Sequence, residues 1–347
     1  MLSRRSAGAV KTTMYREAAE APERVENQLQ RNAGTFGELG RRLRAHPPAA
    51  FVTIGRGSSD HAATYARYLV ETRLGVLASS LSPSIFSVFK APLSLANMLC
   101  LAISQSGRSP DLLAAARAAR DSGAIVVALV NDPESPLAEI ASTVVPNWAG
   151  QEKSAAATKS FITSLSAIFQ MVALWSGDEA MQSALPRLPS ALANSWKEDW
   201  SPCRNMLRTA DHLYTVGRGL HLGVAQEAAH KLKETCMIHA EAYSSAEVLH
   251  GPNELAGKDF PVLLFRSEDA TDASAKEAAR RLGSQGASVM MAGGDDPSAL
   301  PVPRAPHPAL APILQIQAFY RMANGLACDR GHDPDQPRHV QKVTHTV

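Results

Sequence analysis

Apolar runs and apolar helical faces alternate along this chain in a regular order. From Met14 to Leu43, the positions Met14, Ala18, Val25, Leu29, Phe36, Leu39 and Leu43 space as helical faces, with breaks expected at Pro22 and Gly34. His46-Pro47-Pro48 closes this arm. Solid apolar runs then predict buried strands at 50–54, 75–80, 98–103, 124–130 and 143–146. Helices are expected between them, one from about Asp60 to Thr72 and a later one from Thr158 to Trp175. Strands alternating with helices predict an α/β protein, a parallel sheet covered on both faces in a three-layer αβα arrangement.

The pattern then starts again. Thr53-Ile-Gly-Arg-Gly57 returns as Thr215-Val-Gly-Arg-Gly219, each time after an apolar strand and before an amphipathic helix. Strands at 260–265 and 288–292, with a helix over 272–282, extend the second copy. An echo at matching positions of two αβ patterns reads as duplication. The proline-bearing stretch from Gly177 to Ser201 separates the copies. The expected division is an arm over 1–46, a first lobe over 47–185, a second over 200–330 and a tail over 331–347.

The first lobe carries the most informative turn. The strand ending at Ile103 breaks into Ser104-Gln-Ser-Gly-Arg-Ser109, and a helix begins with Ser109 as N-cap, Pro110 next and Asp111 in its first turn. Hydroxyls, a glycine and the free N–H groups of a helix start are the parts of a phosphate site. The same turn also reads as an ordinary, well-capped connection. After the matching strand 260–265 the chain is Arg266-Ser-Glu-Asp-Ala-Thr271, acidic and without the serine cluster. One cup per chain is therefore expected. Farther on, Ala149-Gly-Gln-Glu-Lys-Ser-Ala-Ala-Ala-Thr-Lys-Ser-Phe161 enters a helix that Thr158 or Ser154 is placed to cap, with small residues suited to lining a cleft.

The second lobe carries titratable groups. Glu227, Lys231 and Glu234 lie at i, i+4 and i+7 on one helix face, which taken alone reads as a solvated ion-pair ladder. The stretch 238–252, read as loop-like, adds His239, Glu241, Glu247 and His250, the last held before Gly251-Pro252. A carboxylate and an imidazole near one pocket move protons at neutral pH. Without a His-x-x-x-His pair or a cysteine set, no metal is expected. In the tail, Val340 and Val343 flank Lys342, which suggests an end that docks and brings an amine into the site.

Composition narrows the function classes. A net charge of +2 argues against a broad nucleic-acid surface and against a basic membrane patch. No apolar run approaches the ~20 residues of a membrane span. Met1 to Thr13 lacks the apolar core of a secretory signal and reads as a loose leader. The four cysteines are scattered, which fits free thiols in a cytoplasmic protein.

Taken together, these segments resemble the sugar isomerase (SIS) family in its tandem form, from Met14 to Val347. The pattern is similar to the isomerase half of glucosamine-6-phosphate synthase and to stand-alone SIS-type glucosamine-6-phosphate deaminases. Gly57-Ser-Ser59, Ser104–Ser109, Lys231-Leu-Lys-Glu234, His239-Ala-Glu-Ala, His250-Gly-Pro and Gln336-Pro-Arg-His-Val-Gln-Lys342 carry the likeness, in family order. The resemblance implies that Ser104, Gln105, Ser106 and Ser109 hold a 6-phosphate, with Ser59 and Ala155 also on the substrate. It implies that Glu234 moves a proton between C1 and C2, that His250 assists ring opening and that Lys342 approaches the open-chain carbonyl. Glu227 and Lys231 would support Glu234. It further implies a homodimer with a shared active site and no cofactor.

Two departures shape the expected activity. The synthase's glutaminase uses a cysteine just after the initiator Met, whereas Leu2 stands here. Glutamine-dependent amination is therefore not expected of this chain alone. Ala157 stands where the synthase usually carries a serine, and Ala-Ala-Thr-Lys159 looks more like the deaminases. The expectation is conversion of glucosamine 6-phosphate and water to fructose 6-phosphate and ammonia. Galactosamine-6-phosphate deaminase/isomerase, a fructosamine-6-phosphate deglycase and a non-catalytic sugar-phosphate sensor are the alternatives.

Overall fold

The computed structural model describes residues 12–294 and 296–339. Two all-parallel sheets are present among these residues. The first has the order β2-β1-β3-β4-β5, with β1 Ala50–Ile54, β2 Ala78–Ser80, β3 Met98–Ser104, β4 Ile125–Val130 and β5 Thr143–Pro146. The second has the order β7-β6-β8-β9, with β6 His212–Gly217, β7 His239–Ser244, β8 Pro261–Phe265 and β9 Ser288–Ala292. In each lobe the first strand lies between the second and third, so the duplication read from the Gly-Arg-Gly echo is a duplication of topology.

The echo has the same job in both lobes. A Cβ on Gly55 would lie 2.9 Å from backbone atoms of Ser59 and Asp60, and one on Gly217 would lie 2.3 Å from the His221 carbonyl oxygen. Neither position admits a side chain, because strand and following helix meet there directly. Gly57 and Gly219 have φ of +52° and +59°, which only glycine adopts freely. The repeat is therefore a tight strand-to-helix corner made twice.

One apolar core joins the lobes. It takes Phe36, Leu69 and Phe169 from the first half and Leu232, Phe265 and Phe319 from the second, all buried. Helices Ala21–Ala45, Ser58–Leu74, Lys159–Ser176, Leu222–Cys236 and Ala311–Asp329 supply most of it. At its centre helix Ser58–Leu74 crosses helix Leu222–Cys236 so closely that a Cβ on Gly223 would lie 2.4 Å from the His61 carbonyl oxygen.

Three expectations need correcting. Gly34 does not interrupt helix Ala21–Ala45; the break falls at Glu20, and Pro22 sits in the first turn, where its missing N–H costs nothing. The second strand begins at Ala78, because the preceding helix runs to Leu74 and ends on Gly75 at φ +64°. Stretch 238–252 is not all loop: 239–244 is β7, the edge strand of the second sheet. The segment between the lobes is helical at Glu179–Ala184 and Leu188–Ser195, with Pro189 at a helix start. Among the described residues no helix is long and apolar enough to cross a membrane.

Candidate active site

The cup is a self-supported turn at the carboxyl end of β3. Ser104 Oγ accepts the Gly107 N–H at 3.0 Å and Ser106 Oγ accepts that of Arg108 at 3.4 Å. Gly107 has φ +65°, and Ser135 Oγ would lie 2.2 Å from a Cβ there, so glycine is required twice over. Ser109 holds the N-cap position of helix Pro110–Asp121 with extended backbone, but its hydroxyl makes no capping bond. That leaves hydroxyls beside a helix start, the electrostatic setting an anion prefers. Neighbouring β4 braces the turn through Asn131, whose N–H bonds the Gln105 carbonyl.

The loop after β1 reaches in two directions. Arg56 pairs with Asp111 Oδ2 at 2.9 Å, tying the loop to the helix that starts at the cup. Two residues later, Ser58 Oγ donates to Glu227 Oε1 at 3.1 Å. One short corner of the first lobe thus connects the hydroxyl cup with the charged face of the second lobe. Ser59 follows directly after Ser58 and is half-buried.

That charged face is no solvated ladder. The side chains of Glu227 and Lys231 are 0% and 2% exposed. Lys231 Nζ lies 2.5 Å from Glu234 Oε2 and 3.6 Å from Glu227 Oε1. Glu227 also accepts Tyr320 OH at 3.0 Å and meets His61 Nδ1 at 2.9 Å through Oε2. Glu234 Oε1 lies 2.9 Å from His230 Nε2. The rings of His61 and His230 meet edge-on, 5.5 Å between centroids, which closes a circuit of five ionisable side chains across the lobe boundary.

The electrostatics follow from the pairing. Burial would raise the Glu234 carboxyl, but Lys231 and His230 outweigh it and hold it down to about 2. Burial likewise opposes ionisation of Glu227, and Lys231 and His61 still keep it below the usual carboxylate range. Lys231 is desolvated too, yet Glu227 and Glu234 hold its ammonium above the ordinary value. Burial, and the Glu227 carboxylate next to it, push the Tyr320 hydroxyl well up, so it remains a donor. Both carboxylates are therefore ionised at neutral pH, with one lysine between them. Such a buried set is costly to desolvate and is maintained only by near-complete pairing.

A third wall comes from the segment after β5. Glu152 accepts the N–H groups of Thr158 and Ser160 at 2.8 and 3.3 Å and so caps helix Lys159–Ser176. This corrects the expectation for Thr158, which occupies the N-cap position without a side-chain cap bond, and for Ser154, whose N–H is instead held by Glu17. The tail docks on this segment: Ala155 N–H bonds the Asp335 carbonyl at 3.4 Å, and the Asp335 carboxylate caps Thr13 and Met14 at 2.6 and 2.7 Å. Residue Lys342 lies outside the described residues.

The SIS domain model matches residues 50–174 and 206–295. The chain belongs to the SIS domain family. It is 32% identical over 309 residues to a glutamine–fructose-6-phosphate aminotransferase (isomerizing) of Symbiobacterium thermophilum, an alignment covering 83% of this chain and 50% of that protein. The chain spans about half the length of the curated relatives it matches. A candidate phosphosugar isomerase from Silicibacter pomeroyi DSS-3 superposes with a TM-score of 0.88 at 43% identity, covering 93% of this chain and all of the other. A glucosamine-6-phosphate deaminase from Thermotoga maritima shares the fold, with a TM-score of 0.76 at 21% identity over 96% of this chain and all of that one.

Within this SIS chain the sequence-derived residues fall into three groups. Glu227, Lys231 and Glu234 are brought together, and the loop before Ser59 links them to Ser104, Gln105, Ser106 and Ser109. Ala155 lies on the segment that receives the tail. His250 is not joined to this cluster: it is exposed, just past the short turn Glu247–Leu249, and no hydrogen bond or ion pair among the described residues links it to Glu234. His239, Glu241 and Glu247 are exposed as well. Sequence reasoning missed Ser58, His61, His230 and Tyr320. His230 sits at i, i+4 to Glu234, and His61 at i, i+3 to Ser58, so helical spacing pointed to both. Tyr320 arrives from a distant helix with no local signal.

Proposed function

We propose that this chain is an aminosugar-phosphate deaminase/isomerase that converts glucosamine 6-phosphate and water to fructose 6-phosphate and ammonia. The observation that carries the reading is the buried Glu227–Lys231–Glu234 set, connected through Ser58 and Arg56 to a hydroxyl-lined cup. A phosphate in the cup leaves the far end of the sugar, C1 and C2, to lie toward Glu234. In this reading Ser104, Gln105, Ser106 and Ser109 anchor the 6-phosphate, while Ser59 and Ala155 touch the sugar.

The chemistry needs four balanced steps. The pyranose opens to the aldehyde, with His250 moving the ring-oxygen proton. Glu234 takes the C2 proton and returns it to C1, while O1 gains a proton and the amine nitrogen gives one up, so the 2-amino aldehyde becomes a C2 imine bearing a C1 hydroxymethyl group. Water adds to the C2 carbon and gives a carbinolamine. Loss of ammonia from that carbon leaves the ketone of fructose 6-phosphate. An ionised carboxylate is ready to accept the C2 proton, and Lys231 beside it stabilises negative charge as it develops. The exposure of His250 fits a histidine that completes the site of a second copy, so a cytoplasmic homodimer with shared sites is part of the reading. Lys342, carried on the docking tail, is the group proposed to meet the open-chain carbonyl.

The test is ammonia release measured side by side on glucosamine, galactosamine and fructosamine-type 6-phosphates. Release from glucosamine 6-phosphate, lost in Glu234→Gln, is expected. Preference for another member of the panel would replace the substrate. Stabilisation by these sugars with no turnover of any would overturn the enzyme reading in favour of a sensor.

A further inference from the structure

The five-membered circuit contains two imidazoles that the proposed reaction leaves without a role. The geometry points to His230 as the positioning residue that fixes the Glu234 carboxylate, itself braced from the first lobe by His61. This inference rests on the reading of Glu234 as the proton carrier.

Glu234 is held at both oxygens, by Lys231 on Oε2 and by His230 on Oε1. The two holds differ in kind. An ammonium is a compact charge whose donors rotate freely, so it attracts the carboxylate without fixing its plane. An imidazole N–H points in one direction, and the ring is rigid. The His230 ring is further constrained by the edge contact with His61. His61 in turn is fixed by Glu227 at 2.9 Å. The chain Glu227–His61–His230–Glu234 thus leaves helix Leu222–Cys236, enters helix Ser58–Leu74 and returns.

The surroundings support the assignment. The groups facing the circuit are Glu227, Lys231 and Glu234 on its own helix, His61 from the first lobe and Tyr320 from helix Ala311–Asp329, with Glu152 acting on Lys231 from the segment after β5. The His230 side chain is 32% exposed, and its Nε2 lies 3.8 Å from where a Gly57 Cβ would stand. The corner that reaches toward the cup therefore passes directly beside the residue that holds the base. A base that moves one proton between adjacent carbons must present a lone pair to each, and small misplacements of such a group are expensive in rate.

The experiment compares His230→Leu, His230→Gln, Glu234→Gln and the His230→Leu/Glu234→Gln double variant. Each is followed by ammonia release and by exchange of the substrate's C1/C2 hydrogens with solvent deuterium. His230→Leu should lower kcat by about ten- to a hundredfold with KM within about threefold. His230→Gln keeps an N–H donor of similar reach and should recover most of the loss. Adding His230→Leu to Glu234→Gln should cost less than about twofold, because the base it serves is already gone. A full additional loss in the double variant, a KM that rises as kcat falls, or unchanged kcat in His230→Leu would each overturn the assignment. Wild-type exchange without ammonia release would refute only the deaminase reading, and the comparison then proceeds on exchange. A wild type with neither activity on the panel refutes both.

Discussion

The turn after β3 and the turn after β8 occupy equivalent places in two copies of one topology, and they solve the same electrostatic problem in opposite ways. Both end a buried strand and start a helix, so both offer hydroxyls and free N–H groups. At Ser104–Ser109 the Ser109 hydroxyl makes no cap bond, and the first-turn carboxylate, Asp111, which accepts the Leu112 N–H at 2.8 Å, is neutralised by Arg56. At 266–271 the chain supplies its own anion: Asp269 accepts from Ser267 Oγ at 2.9 Å, from Thr271 N–H at 2.8 Å and from Thr271 Oγ1 at 2.7 Å. Buried His221 adds no positive charge there at neutral pH, because desolvation drops it to about 4. A phosphate dianion meets donors in the first turn and a fixed negative charge in the second. Duplication made two corners, and a single aspartate leaves only one of them open to an anion.

The division of labour between the lobes is broken most severely at Glu234. Glu234→Gln keeps the shape of the side chain and removes the base, so kcat should fall by about 10²- to 10⁴-fold with little change in KM. Activity within a few-fold of wild type would remove chemistry from the second lobe altogether.

Lys231→Met tests whether that lobe's charges also carry stability. It leaves Glu227 and Glu234 facing each other without the cation between them, and loss of one member of a buried ionic set costs about 3–5 kcal/mol. Denaturant unfolding should show the drop, and a variant as stable as wild type would refute the buried-pair account. The same set predicts acid sensitivity. Glu234 is held down to about 2 against an ordinary value of 4.5. Its pairing therefore stabilises the fold fully above the ordinary carboxylate range and progressively less as pH falls from there toward 2. Glu234→Gln should flatten that part of the stability–pH curve.

The same contrast explains what was legible in the sequence. The sheet cores were readable because parallel strands buried on both faces are unbroken apolar runs, as in Leu99–Ile103 and Val126–Val130. The edge strand β7 was not, because His239, Glu241 and Tyr243 alternate with small residues and mimic a loop. Glu227, Lys231 and Glu234 were found by helical spacing, but spacing suggested exposure. Their burial depends on helices from the other lobe and on Tyr320, contacts separated by 93 or more residues along the chain. The cap of helix Lys159–Ser176 was misassigned for a related reason. Glu152 reaches it from outside the positions where a cap is normally sought.

On the first-lobe side, Ser104→Ala with Ser106→Ala should raise KM by about tenfold or more and change kcat little, since a hydrogen bond to a charged group is worth about 1.5–3 kcal/mol. Ser104 also supports Gly107, so its share should be the larger. A loss confined to kcat would contradict a purely anchoring cup.

The smallest effect is the sharpest test of the comparison itself. Asp269→Ala removes the internal anion but leaves Ser267, Thr271 and the Thr271 N–H. It takes away what amounts to a helix-start cap, so stability should fall by about 1–2 kcal/mol, with kcat within about twofold. In the Ser104→Ala/Ser106→Ala background, inorganic phosphate should no longer raise the melting temperature. Adding Asp269→Ala to that background should restore a weak phosphate-dependent rise, because the second corner then offers the same donors that the first one lost. Absence of any restored response would mean that β8 and β3 share topology without sharing a cup, and that Asp269 caps a helix rather than standing in for a ligand.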